Sequence, residues 1–197
     1  MKKATLWKVL MVPAMLGMLM ATVSIAPAAE SEEPPEFWCH SPGFPTCAGS
    51  LTVGGADVSY EMTGTPSLAK VSAFSAPSKT RNVTWVNLDM TGKTSTGDTI
   101  TATLDPNQKS SGTVLSVSNK EFPATVTMRF FFRIETGGMK IVSDQPAVFQ
   151  GIVHSIPPGP GDVLTMISRP VQFHHEGEPE MKVGALKVAA VSFIPAK

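Results

Sequence analysis

The chain has 197 residues, with 16 basic and 16 acidic side chains and 42% hydrophobic residues. Without the export signal described next, basic residues fall to 13 against 16 acidic ones, a net charge of −3. A negative chain lacks the basic footprint that nucleic acid or an anionic membrane surface needs in a partner, and the remaining length suits one domain.

The N-terminus has the pattern of a secretory signal peptide. Lys2, Lys3 and Lys8 form a basic start, residues 9–25 carry no charge, and Ala26-Pro27-Ala28 supplies small residues at a cleavage site. We therefore expect residues 1–28 to be removed and the protein to be secreted or periplasmic. The alternative is an uncleaved anchor, which would be its one contact with a membrane, but 17 apolar residues are short for a spanning helix.

Residues 29–48 are predicted to be an acidic, proline-rich leader that contains a disulfide loop. Cys39 and Cys47 are the two cysteines of the chain, and the segment between them is rich in Pro and Gly. Cysteines in an exported protein are usually paired, so we expect a Cys39–Cys47 bridge. Residues 29–38 could also act as a donor strand for another copy, although two prolines and four glutamates oppose this.

Short apolar runs with a period of two dominate residues 49–197. The clearest is 126–135, where alternation puts one set of side chains on a core face. Its predicted inward residues are Val126, Met128, Phe130, Phe132 and Ile134. Similar runs are Val58-Tyr60-Met62, Ile100-Ala102-Leu104 and Leu115-Val117, with further strand candidates at 67–75, 82–90, 139–143, 147–155, 162–168, 171–175 and 182–194.

Turn signals separate these runs at intervals of about ten residues, the spacing typical of a sandwich or barrel. Gly137-Gly138 predicts a tight hairpin. Gly64-Thr65-Pro66 and Asp105-Pro106-Asn107 are interpreted as turns between strands. The predicted fold is a single all-β, antiparallel β-sandwich over residues 49–197, immunoglobulin-like or jelly-roll-like.

Catalytic motifs are sparse. Ser67 and Lys70 match S-x-x-K, but residues three apart on a strand point to opposite faces, and the companion elements of that chemistry are missing. The sequence contains neither G-x-S-x-G nor a phosphate-binding loop. These observations favour a protein that is not an enzyme and that has no cofactor.

The histidines supply the alternative. His174, His175 and Glu176 form the densest group of possible metal ligands, and His154 could approach them if its strand pairs with theirs. Neighbouring residues of a strand point opposite ways, so His174 and His175 cannot serve one site without a bend. A metal-binding protein or metal-dependent enzyme using this region is therefore the second hypothesis.

A possible contact patch lies on the outer face of the 126–135 run. Phe131 is flanked there by Arg129 and Arg133, and aromatic residues and arginine are enriched in interfaces. The sequence as a whole predicts an exported, non-enzymatic domain with a binding or structural role, whose partner is an unidentified protein or surface.

Overall fold

The computed structural model describes residues 36–118 and 120–195, and the predicted signal peptide and residues 29–35 of the predicted leader lie outside them. The described residues form fifteen strands, and no helix among them is long and apolar enough to cross a membrane. The strands are β1 Glu36–His40, β2 Gly43–Val53, β3 Ala56–Gly64, β4 Leu68–Ser72, β5 Thr80–Asn87, β6 Met90–Thr94, β7 Thr99–Leu104, β8 Ser111–Ser116, β9 Ala124–Phe130, β10 Phe132–Thr136, β11 Met139–Ser143, β12 Ala147–Val153, β13 Val163–Met166, β14 Val171–His175 and β15 Glu178–Pro195.

Eight of the strands close into an antiparallel barrel. Their order around the ring is β2-β3-β6-β7-β10-β11-β14-β15, and β15 pairs back onto β2 from Gly184↔Val53 to Pro195↔Gly43. The all-β prediction is confirmed, but the open sandwich is wrong. The closing pair joins strands that lie more than a hundred residues apart in the sequence, and local periodicity carries no information about such a distant pairing.

The other seven strands extend this barrel as outer strands. They pair in the order β1-β4-β5-β8-β9-β12-β13, and β13 then joins β15. Each continues the path of a ring strand next to it in sequence. The registers show this directly. Thr46 of β2 pairs with Thr63 of β3, and Glu36 of β1 pairs with Ser72 of β4. The β1–β4 ladder therefore continues the β2–β3 ladder with a shift of only one residue. The chain therefore runs up and down in long paths, most of them broken near the middle.

The breaks explain why the sequence predicted a sandwich. Five of them contain a proline, which has no N–H to give to a ladder. These prolines are Pro42, Pro66, Pro106, Pro146 and Pro170. The predicted turns at Gly64-Thr65-Pro66 and Asp105-Pro106-Asn107 are such breaks, so the chain continues along the barrel there instead of reversing. Gly137-Gly138, in contrast, does make the predicted hairpin, with both φ angles positive.

Serine hydroxyls replace missing ladder partners at the breaks. The N–H groups of Phe131 and Phe132 donate to the hydroxyls of Ser110 and Ser143, each at 3.0 Å. Ser143 is fully buried and Ser110 almost so. Because a buried N–H without an acceptor is costly, these hydroxyls allow the barrel wall to bend without leaving orphaned donors.

The barrel interior is packed with apolar side chains from both sets of strands. Every predicted inward residue of the 126–135 run is buried, which confirms the period-two prediction, although the strand breaks at Phe131. Phe130 lies edge-on to Trp85 and to Phe149, each with ring centroids 5.6 Å apart. The Trp85 indole N–H donates to the sulfur of Met128 at 3.1 Å.

The predicted Cys39–Cys47 bridge is absent, and both residues are free cysteines. Residues 36–48 do not form a separate loop, because they lie in β1 and the first half of β2. Cys39 pairs with Ala69 and Cys47 with Met62, along one nearly extended path. At about 3.3 Å per residue, that path separates their Cα atoms by far more than the roughly 7 Å limit for a disulfide.

Candidate functional site

The structure does not bring the predicted metal ligands together. His174 on β14 pairs with Val142 on β11, while His154 follows the end of β12, twelve residues beyond Val142 along the same path. That separation corresponds to roughly 30–40 Å of extended chain. Among residues 36–118 and 120–195, no cluster of three or more His, Cys, Asp or Glu side chains could hold a metal ion.

His154 belongs to a clamp that shapes the loop between β12 and β13. The carboxylate of Asp162 accepts the N–H of Gly159 at 2.9 Å and the N–H of His154 at 3.2 Å. It also lies 2.9 Å from Nδ1 of His154, whose ring is largely exposed. Asp162 is buried, so these partners compensate the loss of its hydration. The geometry assigns Asp162 a structural role, which no motif in the sequence indicated.

His174, His175 and Glu176 have separate partners. His174 Nδ1 is hydrogen-bonded to the carboxylate of Asp144, and His175 Nδ1 lies 3.1 Å from the carbonyl oxygen of Glu176. Glu176 accepts from the guanidinium of Arg133 at 2.8 Å. The β14–β15 register shifts on both sides of His174, so the strand is irregular there, but the two rings still have different partners.

The predicted patch around Phe131 is divided among different surroundings. Arg129 is exposed, Arg133 is tied to Glu176, and Phe131 is half-buried at the break between β9 and β10. The carbonyl of Phe131 accepts the N–H of Asp105 at 2.8 Å. The residues therefore lie side by side without presenting an exposed aromatic ring between two free cations.

Ser67 and Lys70 have different surroundings. Ser67 is fully buried, whereas Lys70 extends outward with its ammonium group 4.8 Å from the centre of the Trp38 ring and 3.9 Å from Glu36. Ser67 lies in the break before β4 and Lys70 on β4 itself, so the two side chains do not face each other as the S-x-x-K chemistry requires.

The barrel interior has little empty space next to the thiol of Cys47 and the hydroxyl of Tyr60. A cavity of about 10 Å³ lies among Cys47, Tyr60, Met62 and Phe132, together with further apolar side chains. Such a volume holds about one water molecule. Apolar side chains, most of them aliphatic, fill the described core around it, and the interior of an eight-stranded barrel is just wide enough to hold such side chains.

The outer wall carries a feature of another kind, a wide surface without charge. One row of directly paired residues crosses seven neighbouring strands, and we call it the threonine row. It consists of Asn82, Thr113, Thr127, Gln150, Thr165, Ala190 and Ala48. A second row runs beside it, two residues along each strand, and we call it the aliphatic row. It consists of Thr80, Leu115, Thr125, Ile152, Val163, Ser192 and Thr46.

The two rows together form what we call the uncharged face. Leu115, Ile152 and Val163 are 48%, 58% and 48% exposed there. The alternation of Leu115 and Val117 predicted a core face, but the inward residues of β8 are Val114 and Ser116. An apolar outer face has the same period of two as a core face, so periodicity alone could not assign the direction.

Ion pairs occur near the outer strands, where Arg81 contacts Glu121 at 2.9 Å and Lys70 lies 3.9 Å from Glu36, and toward the other end of the barrel. Lys187 contacts Asp57 at 2.6 Å, Arg133 contacts Glu176 at 2.8 Å and Lys140 contacts Glu135 at 3.3 Å. The Asp57–Lys187 pair is exposed. The hydrogen bond from Lys187 lowers the pKa of Asp57. None of these charged side chains belongs to the fourteen positions of the uncharged face.

Comparison with known proteins supports the fold. No protein-family model matches the chain, and no curated protein matches it. Among solved structures it is similar to DynF from the dynemicin biosynthesis pathway of Micromonospora chersina, with a TM-score of 0.65 and 18% sequence identity. The match covers 83% of this chain and 82% of DynF. At that identity the likeness concerns the fold alone, and it places this chain among barrel-fold proteins.

Proposed function

We propose that this protein, after export, is a non-enzymatic barrel that binds a partner protein through its uncharged face. The observation that carries the proposal is the pair of cross-strand rows, fourteen positions without one charged side chain. Isolated exposed apolar residues are common on soluble proteins, but contiguous ones mark interaction surfaces. The signal predicted at residues 1–28 supports export.

The chemistry of the face favours a protein over other partners. Nucleic acid and anionic lipid require basic groups at the contact, and the fourteen positions contain none. Leu115, Ile152 and Val163 provide apolar area, and burial of such area contributes about 25 cal/mol per Å². The surrounding threonines supply hydroxyls for hydrogen bonds at a sheet surface. A partner surface that is itself uncharged loses no hydration of ions when it packs here.

The histidines contribute little to an alternative function. Each of His154, His174 and His175 has a nearby hydrogen-bonding partner that fixes a loop or a bulge. They lie in two distant parts of the barrel, so the metal hypothesis has no geometric support and is not proposed.

Photo-cross-linking in the exporting cell tests the proposal. The full chain with a benzoyl-phenylalanine in place of Ile152 is expected to yield one discrete adduct with another protein on irradiation. The matched control replaces Lys93, an exposed residue of β6 outside the uncharged face. The same probe is also placed at Leu115 and at Val163. The proposal fails if none of the three positions gives an adduct, or if the Lys93 control gives the same one. It also fails if the adduct joins two copies of this chain.

Export is tested on the same material. The N-terminal residue of the protein recovered outside the cytoplasm is expected to be Ala29. Recovery of chains that still begin at Met1 in the membrane fraction would contradict cleavage and favour an anchor.

A further inference from the structure

One strand of the barrel has a neighbour on one side only. Within residues 36–118 and 120–195, β1 pairs with β4 and with no other strand, whereas each other strand of the barrel is paired on both sides. The β2–β15 ladder ends at Gly43↔Pro195, before β1 is reached. The loop between β12 and β13 contacts the chain at the end of this ladder, where the Ser41 hydroxyl donates to the carbonyl of Pro158 at 3.0 Å. Beyond that contact, no described strand pairs with the outer edge of β1, which is called the open edge below.

The hydrogen-bond phase shows which groups face this edge. The N–H of Ser41 donates to the carbonyl of Ser67 at 2.8 Å, so Ser41 directs its backbone toward the β4 side. In an antiparallel pair, the residues that exchange bonds with a given neighbour alternate along the strand. Cys39 and Phe37 therefore bond to β4, while Glu36, Trp38 and His40 direct their N–H and C=O groups to the open edge.

The side chains of β1 show the effect of the missing neighbour. Phe37 pairs with Val71, which is fully buried, so both point to the inner face, yet Phe37 is 53% exposed. Trp38 points outward beside Lys70 and is 59% exposed. An unpaired edge with two exposed aromatic residues is a template for another strand.

We propose that β1 pairs with β1 of a second copy of this chain, antiparallel about a twofold axis at Trp38. The phase restricts the register, because residues with outward-directed backbone groups face each other only when the twofold axis passes through a residue of β1 and not between two residues. Centring on Trp38 uses all five residues. It gives three hydrogen-bonded pairs, Trp38 with Trp38 and Glu36 with His40 on each side.

The side chains match in this register, which is the reason for choosing a second copy over an unrelated peptide. The carboxylate of Glu36 lies opposite the imidazole of His40, and the sequence of β1 supplies this complement to itself by symmetry. The two Trp38 rings become neighbours across the axis, and each Phe37 meets Cys39 of the other copy on the inner face. The pairing covers the two most exposed aromatic side chains of the described chain.

Disulfide trapping of the full mature chain tests the register. In a Cys39→Ser background, Trp38→Cys places two thiols across the axis with Cα atoms about 5.5 Å apart, within the range of a disulfide. Mild oxidation is expected to convert this variant to a covalent dimer. The matched control, Lys70→Cys in the same background, lies on the neighbouring strand and is expected to stay monomeric. Equal cross-linking of the two variants would overturn the proposed register.

Sedimentation velocity of uncross-linked protein tests the pairing itself. Trp38→Pro removes one N–H that faces the open edge and leaves the β1–β4 bonds of Phe37 and Cys39 in place. It is expected to halve the mass of the wild-type species, whereas Trp38→Ala keeps the N–H and weakens the dimer less. Circular dichroism confirms that both variants fold. A monomeric wild type, or a dimer that Trp38→Pro leaves intact, contradicts the proposal. The uncharged face is unchanged in every variant, so these results are independent of partner binding.

Discussion

The thiol of Cys47 and the hydroxyl of Tyr60 lie 3.8 Å apart inside the barrel, on the adjacent strands β2 and β3. Burial raises the pKa of Cys47 to about 11, and the hydrogen bond with Tyr60 opposes this in part. Burial also raises the pKa of Tyr60. Both groups are therefore neutral in the folded protein well above the pH at which they ionise in an unfolded chain.

The free energy of unfolding should fall in alkaline solution because of Cys47. The thiol ionises near pH 9 when unfolded and near pH 11 when folded, so its contribution is intact below pH 9 and is lost between these values. Between pH 8 and pH 10 we expect a loss of about 1.4 kcal/mol that Cys47→Ala does not show. Urea titrations at both pH values measure it. The same loss in Cys47→Ala would contradict this assignment.

Thiol accessibility should separate the two cysteines. Cys39 is half-buried near the open edge of β1 and Cys47 is buried, and both are free. Ellman's reagent is expected to modify Cys39 in the native protein and Cys47 only after unfolding. Intact mass under oxidising conditions is the control, because a bridge would lower it by two hydrogens and leave no thiol to react. A reducing agent should leave the Tm unchanged.

Serine hydroxyls at the strand breaks should contribute to stability. Ser143→Ala leaves the buried N–H of Phe132 without its acceptor, and we expect a loss of about 1–3 kcal/mol in the free energy of unfolding. Ser67→Ala is the matched control. Ser67 is equally buried, but its hydroxyl has no hydrogen-bond partner among the described residues. Its replacement should not destabilise the protein, because it removes a buried hydroxyl that has no partner to lose. Equal losses in the two variants would refute the role given to Ser143.

The aromatic cluster should dominate the core. Phe149 is fully buried and lies edge-on to Phe130 and Phe132, with ring centroids 5.6 and 6.3 Å away. Phe149→Ala is expected to cost about 3–5 kcal/mol, measured by denaturant unfolding. Phe131→Ala removes the same side chain from a half-buried site and should cost less than half as much. A larger loss for Phe131→Ala would mean that the outer side of β9 and β10 is covered by another element.

Local sequence patterns predicted the strands but not their arrangement. The alternation over 126–135 identified five buried side chains because a pleated strand must send neighbouring residues to opposite faces. Gly137 and Gly138 predicted a hairpin because a tight turn needs positive φ. The same rules failed at Pro66 and Pro106, since a proline that interrupts a ladder looks the same in sequence whether the chain turns or continues.

The candidate sites were less accessible to sequence analysis. His154, His174, His175 and Glu176 suggested a metal site by their residue types, but the barrel register separates His154 from the others. The uncharged face was missed because its members come from seven strands, and each strand contributes only two of them. Such a surface exists only after the strands are placed side by side.

The sequence by itself determined that this chain is all-β, which residues alternate inward on its clearest strand, and that its N-terminus has the form of an export signal. Only the tertiary structure decided that β15 closes on β2, that Cys39 and Cys47 lie too far apart to bond, and that β1 pairs with one strand only among those described. The physical reason is range. Side-chain alternation and turn chemistry act over a few residues, whereas closure and edges depend on hydrogen bonds between strands more than a hundred residues apart.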